Sequence, residues 1–436
     1  MKYYSTNGKA PLATLCEAVT RGLAPDRGLY MPERIERMPD TFFDNIQNYT
    51  FHEISFEVAK AFFGEDIPED DLRNIVNDTL SFDCPTVKVS NNIWSLELFH
   101  GPTLAFKDVG ARFMARMLAY FLKTENNGKH GTVNVLVATS GDTGSAVANG
   151  FLDVDGIHVY VLYPKNKVSK IQECQFATLG HNITALEVNG TFDDCQSLVK
   201  NAFADTELRN KMTLTSANSI NVARFLPQSF YYFWSYAQMK RLGVNDNLVI
   251  SVPSGNFGNI TAGLFAHRMG LPVKRFIAAN NANDVFYKYL ATGHYQPQPS
   301  IQTIANAMDV GDPSNYARIT ALYNNSHSAI SADISGATYA DSQIRDAIAS
   351  CYRDNGYVLD PHGACAWKAL TESLISGEHG LFLETAHPAK FRDIVQNAIG
   401  TTINLPSRLE AFMNGHKLSV PMTKQYEDFK RFLTEQ

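Results

Sequence analysis

Short apolar segments alternate with amphipathic segments along most of the chain beyond residue 130. The apolar segments predict buried strands at 133–138, 157–162, 183–188, 247–252, 273–278 and 381–384. The amphipathic segments predict helices at 145–151, 169–179, 192–202, 222–241 and 258–269. Because buried strands that alternate with helices are typical of parallel sheets covered on both faces, the pattern predicts an α/β fold with two open, mainly parallel-sheet lobes.

The first 90 residues follow a different pattern. They predict helices at 15–19, 56–63 and 69–80 and a turn-rich segment at 22–32. We therefore expect a mostly helical N-terminal lobe at 1–90 and a larger region at 91–436, with a smaller α/β subdomain at about 130–215. The proline-containing stretch at 294–312 predicts an irregular loop and is a candidate lid.

Charge and hydropathy exclude several classes of protein. The 436 residues are 44% hydrophobic and 19% charged, with a net charge of −6 and a sequence pI of about 6.1. Without a lysine- and arginine-rich run, nucleic acid and anionic membranes are poor partners. No apolar run approaches the ~20 residues that span a bilayer, and the N-terminus lacks the apolar core of a signal peptide.

Cysteine and histidine spacing predicts no metal site. The six cysteines are scattered and form no C-x-x-C pair, which argues against a disulfide framework or a zinc ribbon and fits a reducing cytosol. No H-E-x-x-H motif is present either. We expect a cytoplasmic protein.

Lys107 lies where a predicted strand at 93–99 and a turn lead into a helix that runs from about 111 to 122. Because a helix N-terminus favours anions and Phe106 covers the side chain, we expect a lowered pKa for the Lys107 amine. A neutral lysine amine is a nucleophile toward carbonyl groups. This stretch alone leaves open the alternative of an ordinary solvated lysine.

The loop T-S-G-D-T-G at 139–144 follows a predicted strand and leads into a helix. Ligands bind beyond the carboxyl ends of strands in open parallel sheets, and backbone N–H groups at a helix start favour a carboxylate or phosphate. Asp142 is unexpected in an anion site, and it is a candidate helix cap or partner of a cationic group. An ordinary capped turn remains the alternative.

A second loop, S-G-N-F-G-N at 254–259, follows an apolar strand and opens a helix. Two glycines let the backbone close around a phosphate, and Asn256 and Asn259 can add donors. The loop lacks the G-K-[S/T] of a Walker motif and the G-x-G-x-x-G of dinucleotide binding. The pattern therefore favours a small phosphorylated cofactor.

A third segment, T-A-H-P-A-K-F at 385–391, places Thr385 at a strand end, where its hydroxyl can face a bound ring. We interpret His387 and Lys390 as ordinary polar loop and helix-start residues. A lysine amine, a phosphate-binding loop and a group that faces a ring nitrogen are together what pyridoxal phosphate requires.

The chain resembles the threonine synthase family of fold-type-II, tryptophan-synthase-β-like pyridoxal-phosphate enzymes. The motifs that carry the resemblance are H-G-P-T-L-A-F-K-D at 100–108, A-T-S-G-D-T-G at 138–144, S-A-N-S-I-N at 216–221, P-S-G-N-F-G-N at 253–259 and T-A-H-P-A-K-F at 385–391. They occur in the family's order, and R-G-L-A-P-D-R-G-L-Y at 21–30 resembles the family too.

The resemblance implies a lyase that converts O-phospho-L-homoserine and water to L-threonine and phosphate, in threonine biosynthesis. It implies that Lys107 carries the cofactor as an aldimine and, once freed, serves as the base at Cα. We expect a monomer or a small homo-oligomer with a small-molecule substrate and no nucleic-acid or membrane partner.

The same resemblance implies the site residues. The cofactor phosphate is assigned to Gly255, Asn256, Phe257, Gly258 and Asn259, and the ring nitrogen to Thr385. Ser140, Gly141, Asp142 and Thr143 are assigned to the substrate carboxylate. Four further residues are assigned to substrate binding: Ser216, Asn218, Arg112 and Arg224. Arg112 and Arg224 are the predicted phosphate-binding cations, with Lys165 and Lys167 as weaker candidates.

Three alternatives remain open from the sequence. A related phospho-lyase or hydroxy-amino-acid dehydratase would give 2-oxobutyrate as its product. A pyridoxal-phosphate-binding protein without catalysis would lack Lys107 or the substrate cations. A nucleotide-binding module would use the two glycine loops and have no absorbance from a bound cofactor.

Overall fold

The computed structural model describes residues 1–124 and 132–435, so the predicted subdomain start at about residue 130 lies outside the described residues. The N-terminal region contains β1 (Tyr3–Ser5), α1 (Leu15–Arg21), β2 (Tyr30–Pro32), α2 (Asp40–Asn45), α3 (Phe51–Phe63), α4 (Glu69–Thr79) and β3 (Thr86–Ser90). Next come β4 (Ile93–Glu97), α5 (Lys107–Thr124), β5 (Val133–Ala138), α6 (Asp142–Phe151), β6 (Ile157–Pro164), α7 (Lys170–Ala177), β7 (Ile183–Val188), α8 (Phe192–Ala204), α9 (Thr206–Lys211) and β8 (Thr213–Ser216).

The second half of the chain continues the alternation of helices and strands. It contains α10 (Val222–Phe225), α11 (Ser229–Arg241), β9 (Leu248–Pro253), α12 (Gly258–Arg268), β10 (Arg275–Asn280), α13 (Val285–Thr292), α14 (Tyr316–Leu322), α15 (His327–Asp333) and β11 (Ile334–Thr338). The last elements are α16 (Asp341–Asn355), α17 (Pro361–Ser373), β12 (His379–Glu384), α18 (Arg392–Ile399), α19 (Ser407–Met413), β13 (Val420–Met422) and α20 (Tyr426–Thr434).

Two mainly parallel sheets form the frame, which confirms the predicted α/β class. The large sheet has six strands in the order β11-β10-β9-β12-β4-β3, and only β3 runs antiparallel to its neighbour. The small sheet has five parallel strands in the order β13-β7-β6-β5-β8. Every residue of β5 and β9 is buried, because helices cover both faces of each sheet.

Residues distant in sequence complete both lobes. Strand β3, at the end of the predicted N-terminal lobe, pairs with β4 of the large sheet. The C-terminal strand β13 joins β7, and α20 packs on α8, so the small lobe includes residues beyond the predicted 130–215. Among the described residues, none of the helices has both the length and the apolar character needed to cross a bilayer.

The N-terminal helices pack directly on the large lobe. Thr50 and Glu53 form a capping box that starts α3. The Phe51 ring stacks on Trp234 of α11 at 5.4 Å, and the Trp234 indole donates to Asp83 at 2.8 Å. The single helix predicted at 222–241 is divided by a 3₁₀ turn at Leu226–Gln228, because Pro227 lacks the N–H that a continuous helix needs.

Candidate active site

A cavity of about 440 Å³ lies beyond the carboxyl ends of β5, β9 and β12. Each strand runs into a segment that lines it, and the start of α5 and the irregular loop after α13 complete the wall. The residues at these positions are Ala138, Thr139, Ser140, Thr143, Pro253, Gly255, Asn256, Phe257, Gly258, Asn259, Thr385, Phe106 and Lys107. The motifs found in the sequence therefore meet at one place, as expected for strand ends in parallel sheets.

The turn before Lys107 is held by Asp108. The buried Asp108 carboxylate accepts hydrogen bonds from the Thr103 hydroxyl at 2.6 Å and the Thr103 N–H at 2.9 Å. A methyl group at Gly101 would lie 2.4 Å from the Asp108 carboxylate, so only glycine fits there. These contacts position Lys107 as the first residue of α5.

The Lys107 amine lies 5.1 Å from the centre of the Phe106 ring and lines the cavity. Its pKa is lowered to about 8, mainly by desolvation within the fold; the charge of Asp142 opposes the lowering, and the charges of Lys390 and Arg224 add to it. The predicted lowering is therefore present, but desolvation causes it, and the helix N-terminus is not needed to account for it.

The lowered pKa predicts how fast a cofactor-free preparation takes up pyridoxal phosphate at each pH. At pH 7, about one Lys107 side chain in ten is neutral, against fewer than about one in a thousand for an unperturbed lysine. The rate of attachment, followed by absorbance, should rise with a midpoint near pH 8. A rate that still climbs steeply above pH 10 would show that the amine is not perturbed.

The loop 254–259 has the features of a phosphate seat. Phe257 adopts a left-handed backbone (φ 62°), and α12 begins at Gly258 with N–H groups that no helical carbonyl accepts. The Asn259 side-chain oxygen accepts hydrogen bonds from Tyr231 (2.7 Å) and Tyr232 (2.8 Å), which leaves its buried Nδ2 group without a partner. This unpaired donor at the cavity wall suits an anionic oxygen.

The Asn256 side chain was expected to donate to a phosphate, but both of its polar atoms are bonded to neighbouring residues. Its side-chain N–H donates to Ser219 at 2.6 Å, and its oxygen accepts from the Ser314 N–H at 2.7 Å. The side chain thus fixes the loop to its neighbours.

Gly255→Ala should weaken cofactor binding by roughly tenfold or more. The added methyl group would lie 2.6 Å from the Met308 Cα and 3.0 Å from the Ala307 oxygen, so the loop must shift. Gly243→Ala is the control, because Gly243 has a positive φ (84°) but open space, and it should cost about 1 kcal/mol of stability without changing affinity. Equal cofactor affinity in the two variants, measured by titration, would contradict the seat.

Thr385 is buried at the end of β12 and is held beside Lys107 by the backbone. The Phe106 N–H donates to the Thr385 carbonyl at 2.9 Å, and the His387 N–H donates to the Leu104 carbonyl at 3.0 Å. The two segments therefore form a short antiparallel bridge. The His387 ring accepts from the Ala389 N–H at 3.1 Å, as expected of an ordinary loop residue.

In the loop at 140–143, the structure separates residues that face the cavity from those that do not. Ser140 and Thr143 line it, whereas Gly141 and Asp142 lie behind. The Asp142 side chain takes the alternative role of partner to a cationic group: its buried carboxylate lies 2.6 Å from the Lys390 amine and accepts from Gln172 at 2.9 Å. A role of the loop at the substrate carboxylate stays a prediction. Although burial opposes ionisation, the charges of Lys390 and Lys107 hold the pKa of Asp142 well below its usual range.

The interpretation of Lys390 as an ordinary polar residue is wrong. Its side chain is fully buried and bonded to Asp142 and to the Thr103 carbonyl (2.9 Å). Neither residue alone signals this pair, because they lie far apart in the chain and meet only when the two lobes pack together.

Arg224 is a buried cation at the cavity wall. It is 2% exposed, one guanidinium nitrogen donates to the Ala217 carbonyl, and its Nε–H has no partner. Burial lowers its pKa to about 10, so it remains charged at neutral pH. Asn218 lines the cavity beside it, while Ser216 lies behind and accepts a hydrogen bond from the Asn218 N–H at 3.4 Å.

Arg112 does not reach the cavity, which corrects its predicted role. Its guanidinium donates to the carbonyls of Thr79 (2.9 Å) and Asp78 (2.6 Å), beside α4. Five positions along a helix correspond to about 140° of rotation, so Arg112 faces away from Lys107. Lys165 and Lys167 do not line the cavity either.

Sequence reasoning missed His362 and the details of the 294–312 loop. His362 lines the cavity, lies 2.5 Å from Asp360 through Nδ1, and accepts the Ala307 N–H at 3.2 Å through Nε2. The D-P-H-G pattern signals a capped helix start but gives no sign of this contact. Residues of the loop line the cavity, and lid motion stays a prediction.

These residues fit pyridoxal phosphate. An amine with a lowered pKa, a glycine loop at a helix start with the unpaired Asn259 donor, and a strand-end hydroxyl surround one cavity. Lys107, residues 255–259 and Thr385 are the groups that would hold the cofactor, and their roles stay predictions. The unpaired Arg224 Nε–H provides a separate position for a second anion.

Comparison with known proteins covers the whole chain. Residues 78–380 match the family described as pyridoxal-phosphate dependent enzyme, residues 2–80 match threonine synthase N terminus, and residues 363–433 match threonine synthase, C-terminal. The chain is 41% identical to a threonine synthase of Haemophilus influenzae, over 99% of each chain. It is 42% identical to that of Escherichia coli, over 94% of each.

Solved structures of threonine synthases are similar to this chain over its whole length. The crystal structure of threonine synthase from Escherichia coli has a TM-score of 0.93 and 40% identity, over 100% of both chains. A pyridoxal-phosphate-bound threonine synthase from Brucella melitensis has a TM-score of 0.92 and 33% identity, over 100% of this chain and 99% of that one.

Proposed function

The chain belongs to the threonine synthase family of pyridoxal-phosphate-dependent enzymes, and from this premise we propose how its residues carry out the reaction. The reaction converts O-phospho-L-homoserine and water to L-threonine and phosphate. The observation that carries the proposal is the meeting of Lys107, a phosphate-binding loop and a buried Arg224 at one cavity. The first two serve the cofactor, and Arg224 serves the phosphate of the substrate.

The cofactor, when bound, supplies an electron sink that stabilises negative charge on the substrate carbons. On the protein side, the N–H groups that open α12 and the Asn259 amide hold its phosphate. Thr385 offers a hydroxyl to the ring nitrogen from a buried position at the strand end. The bridge between residues 104–106 and 385–387 fixes this hydroxyl relative to Lys107.

Lys107 moves the proton at the substrate Cα. An amine with a pKa of about 8 accepts a proton and returns it near neutral pH, whereas an unperturbed lysine would remain charged. Its place at the start of α5 is fixed by the Asp108–Thr103 contacts, so the amine is already oriented toward the cavity.

The substrate is held at both ends. Ser140 and Thr143, with the N–H groups at the start of α6, face its carboxylate, and Arg224 with Asn218 faces its phosphate. Residues 298–300 and 306–312 line the cavity. Closure of this segment over the bound substrate would exclude bulk water and limit what reaches Cβ.

Thr385→Asp should divert a measurable share of the substrate to 2-oxobutyrate and lower the rate of threonine formation. A carboxylate facing the pyridine nitrogen keeps it protonated, which a hydroxyl does not, and this changes which carbon is protonated. Thr385→Ser, which keeps the hydroxyl, is the control and should give threonine. Identical product ratios in the wild type and the aspartate variant would show that residue 385 does not contact the ring.

The product formed from O-phospho-L-homoserine tests the function directly. Amino-acid analysis together with a 2-oxobutyrate assay should find threonine and phosphate in equal amounts. 2-Oxobutyrate as the sole product would instead assign the chain to a phospho-lyase activity.

Cysteine chemistry and net charge bear on the cellular setting. Cys84, Cys174, Cys195, Cys351 and Cys365 are free thiols in the structure, which supports a reducing, cytoplasmic location. The negative net charge supports a small-molecule partner and argues against nucleic acid. A monomer or a small homo-oligomer remains the expected assembly.

A further inference from the structure

Lys390 is a charged side chain with no exposure to solvent. Its amine lies 2.6 Å from the Asp142 carboxylate and donates to the Thr103 carbonyl at 2.9 Å. Burying an ammonium group is costly unless it is paired and hydrogen-bonded, so both partners are needed to keep it there.

The contacts of Lys390 join three parts of the site. Lys390 lies on the 3₁₀ turn Pro388–Phe391, just after Thr385. Thr103 belongs to the turn before Lys107, which backbone hydrogen bonds already hold against the 385–387 segment. Asp142 belongs to the small lobe, so the Lys390–Asp142 pair ties the loop at 140–143 to the rest of the site.

The pair also explains why an anion-binding loop contains a carboxylate. An unpaired Asp142 would repel the substrate carboxylate, whereas the paired one is neutralised by Lys390 and does not line the cavity. Gln172 adds a second hydrogen bond at 2.9 Å, and a methyl group at Gly141 would lie 2.5 Å from the Gln172 side chain. The position of the loop therefore depends on what holds Asp142.

We propose that Lys390 is a positioning residue that holds Asp142 so that Ser140, Thr143 and the backbone N–H groups that open α6 face the substrate carboxylate. The inference rests on the proposed function of this loop. It predicts that Lys390 matters for ligands that carry a carboxylate and not for ligands that lack one.

Calorimetric titration of the holoenzyme with two probes tests this. L-2-Aminobutyrate has the amine and carboxylate without a phosphate, and 3-aminopropyl phosphate has the amine and phosphate without a carboxylate. In Lys390→Met, the Kd of aminobutyrate should rise by about 10- to 100-fold, while that of aminopropyl phosphate changes less than about twofold. Lys211→Met, which removes an exposed pair with Glu207 (2.8 Å), is the control and should change neither.

Lys390→Met leaves the Asp142 charge buried without its partner, which could unfold the protein. A second variant therefore separates loss of positioning from misfolding. Lys390→Met combined with Asp142→Asn removes both charges and should show the same selective loss. If the double variant binds aminobutyrate as the wild type does, or if both probes weaken equally, the positioning role is wrong. These titrations need no turnover, so a failure of the proposed reaction would appear separately, in the product assay.

Discussion

Lys107→Ala is expected to lower the rate of threonine formation by about 1,000-fold or more and to abolish the cofactor absorbance near 410–430 nm. The substitution removes both the amine that attaches the cofactor and the base at Cα. No other described lysine lines the cavity except Lys200, which is exposed and lies on α8. The stopped-time product assay and an absorbance spectrum measure the two effects together.

Lys123→Ala is the matched control, because Lys123 is an exposed lysine near the end of the same helix. It should keep normal activity and absorbance. If Lys107→Ala turned over at a tenth of the normal rate, another group would have to attach the cofactor and act as the base at Cα.

Arg224→Met is expected to lower kcat/KM for O-phospho-L-homoserine by about 100- to 1,000-fold. The buried guanidinium has an unpaired Nε–H, and the substrate phosphate gives it the partner it lacks. Because methionine removes a poorly paired buried charge and keeps the side-chain volume, the free energy of unfolding should not fall by more than about 1 kcal/mol. Steady-state kinetics and denaturant unfolding separate the two quantities.

Arg112→Met distinguishes the two arginines. Arg112 bonds to the carbonyls of Thr79 and Asp78, so its loss should reduce stability and leave kcat/KM within about twofold of normal. The opposite result, a kinetic defect in Arg112→Met and none in Arg224→Met, would place the substrate phosphate elsewhere.

The strands of both sheets were largely predictable from sequence, because buried parallel strands are continuous apolar runs. Val133–Ala138 and Leu248–Pro253 are such runs, and the predicted segments agree with them to within one residue. Short edge strands such as β13 (Val420–Met422) lack that pattern, and only their pairing with a neighbour defines them. A proline inside a helical pattern predicts a break, and Pro227 divides the helix expected at 222–241.

The candidate site was predictable where one local motif supplies both the residue and its backbone setting. Lys107, Gly255 and Thr385 are of this kind, since each follows a strand and the strand ends converge. The burial of Lys390, the identity of the cation that pairs with Asp142 and the contact of His362 with Ala307 were not predictable, because each joins distant segments. Arg112 shows that nearness in sequence is a poor guide on a helix, where the direction of the side chain decides what it contacts.

Peptide mapping after borohydride reduction tests the central claim most directly. Borohydride fixes the cofactor to the amine that carries it, and mass spectrometry of a digest then identifies the lysine. We predict the cofactor mass on Lys107 alone, with Lys390 unmodified because Asp142 and Thr103 hold it. A label on Lys390, or on no lysine at all, would contradict the account of this site.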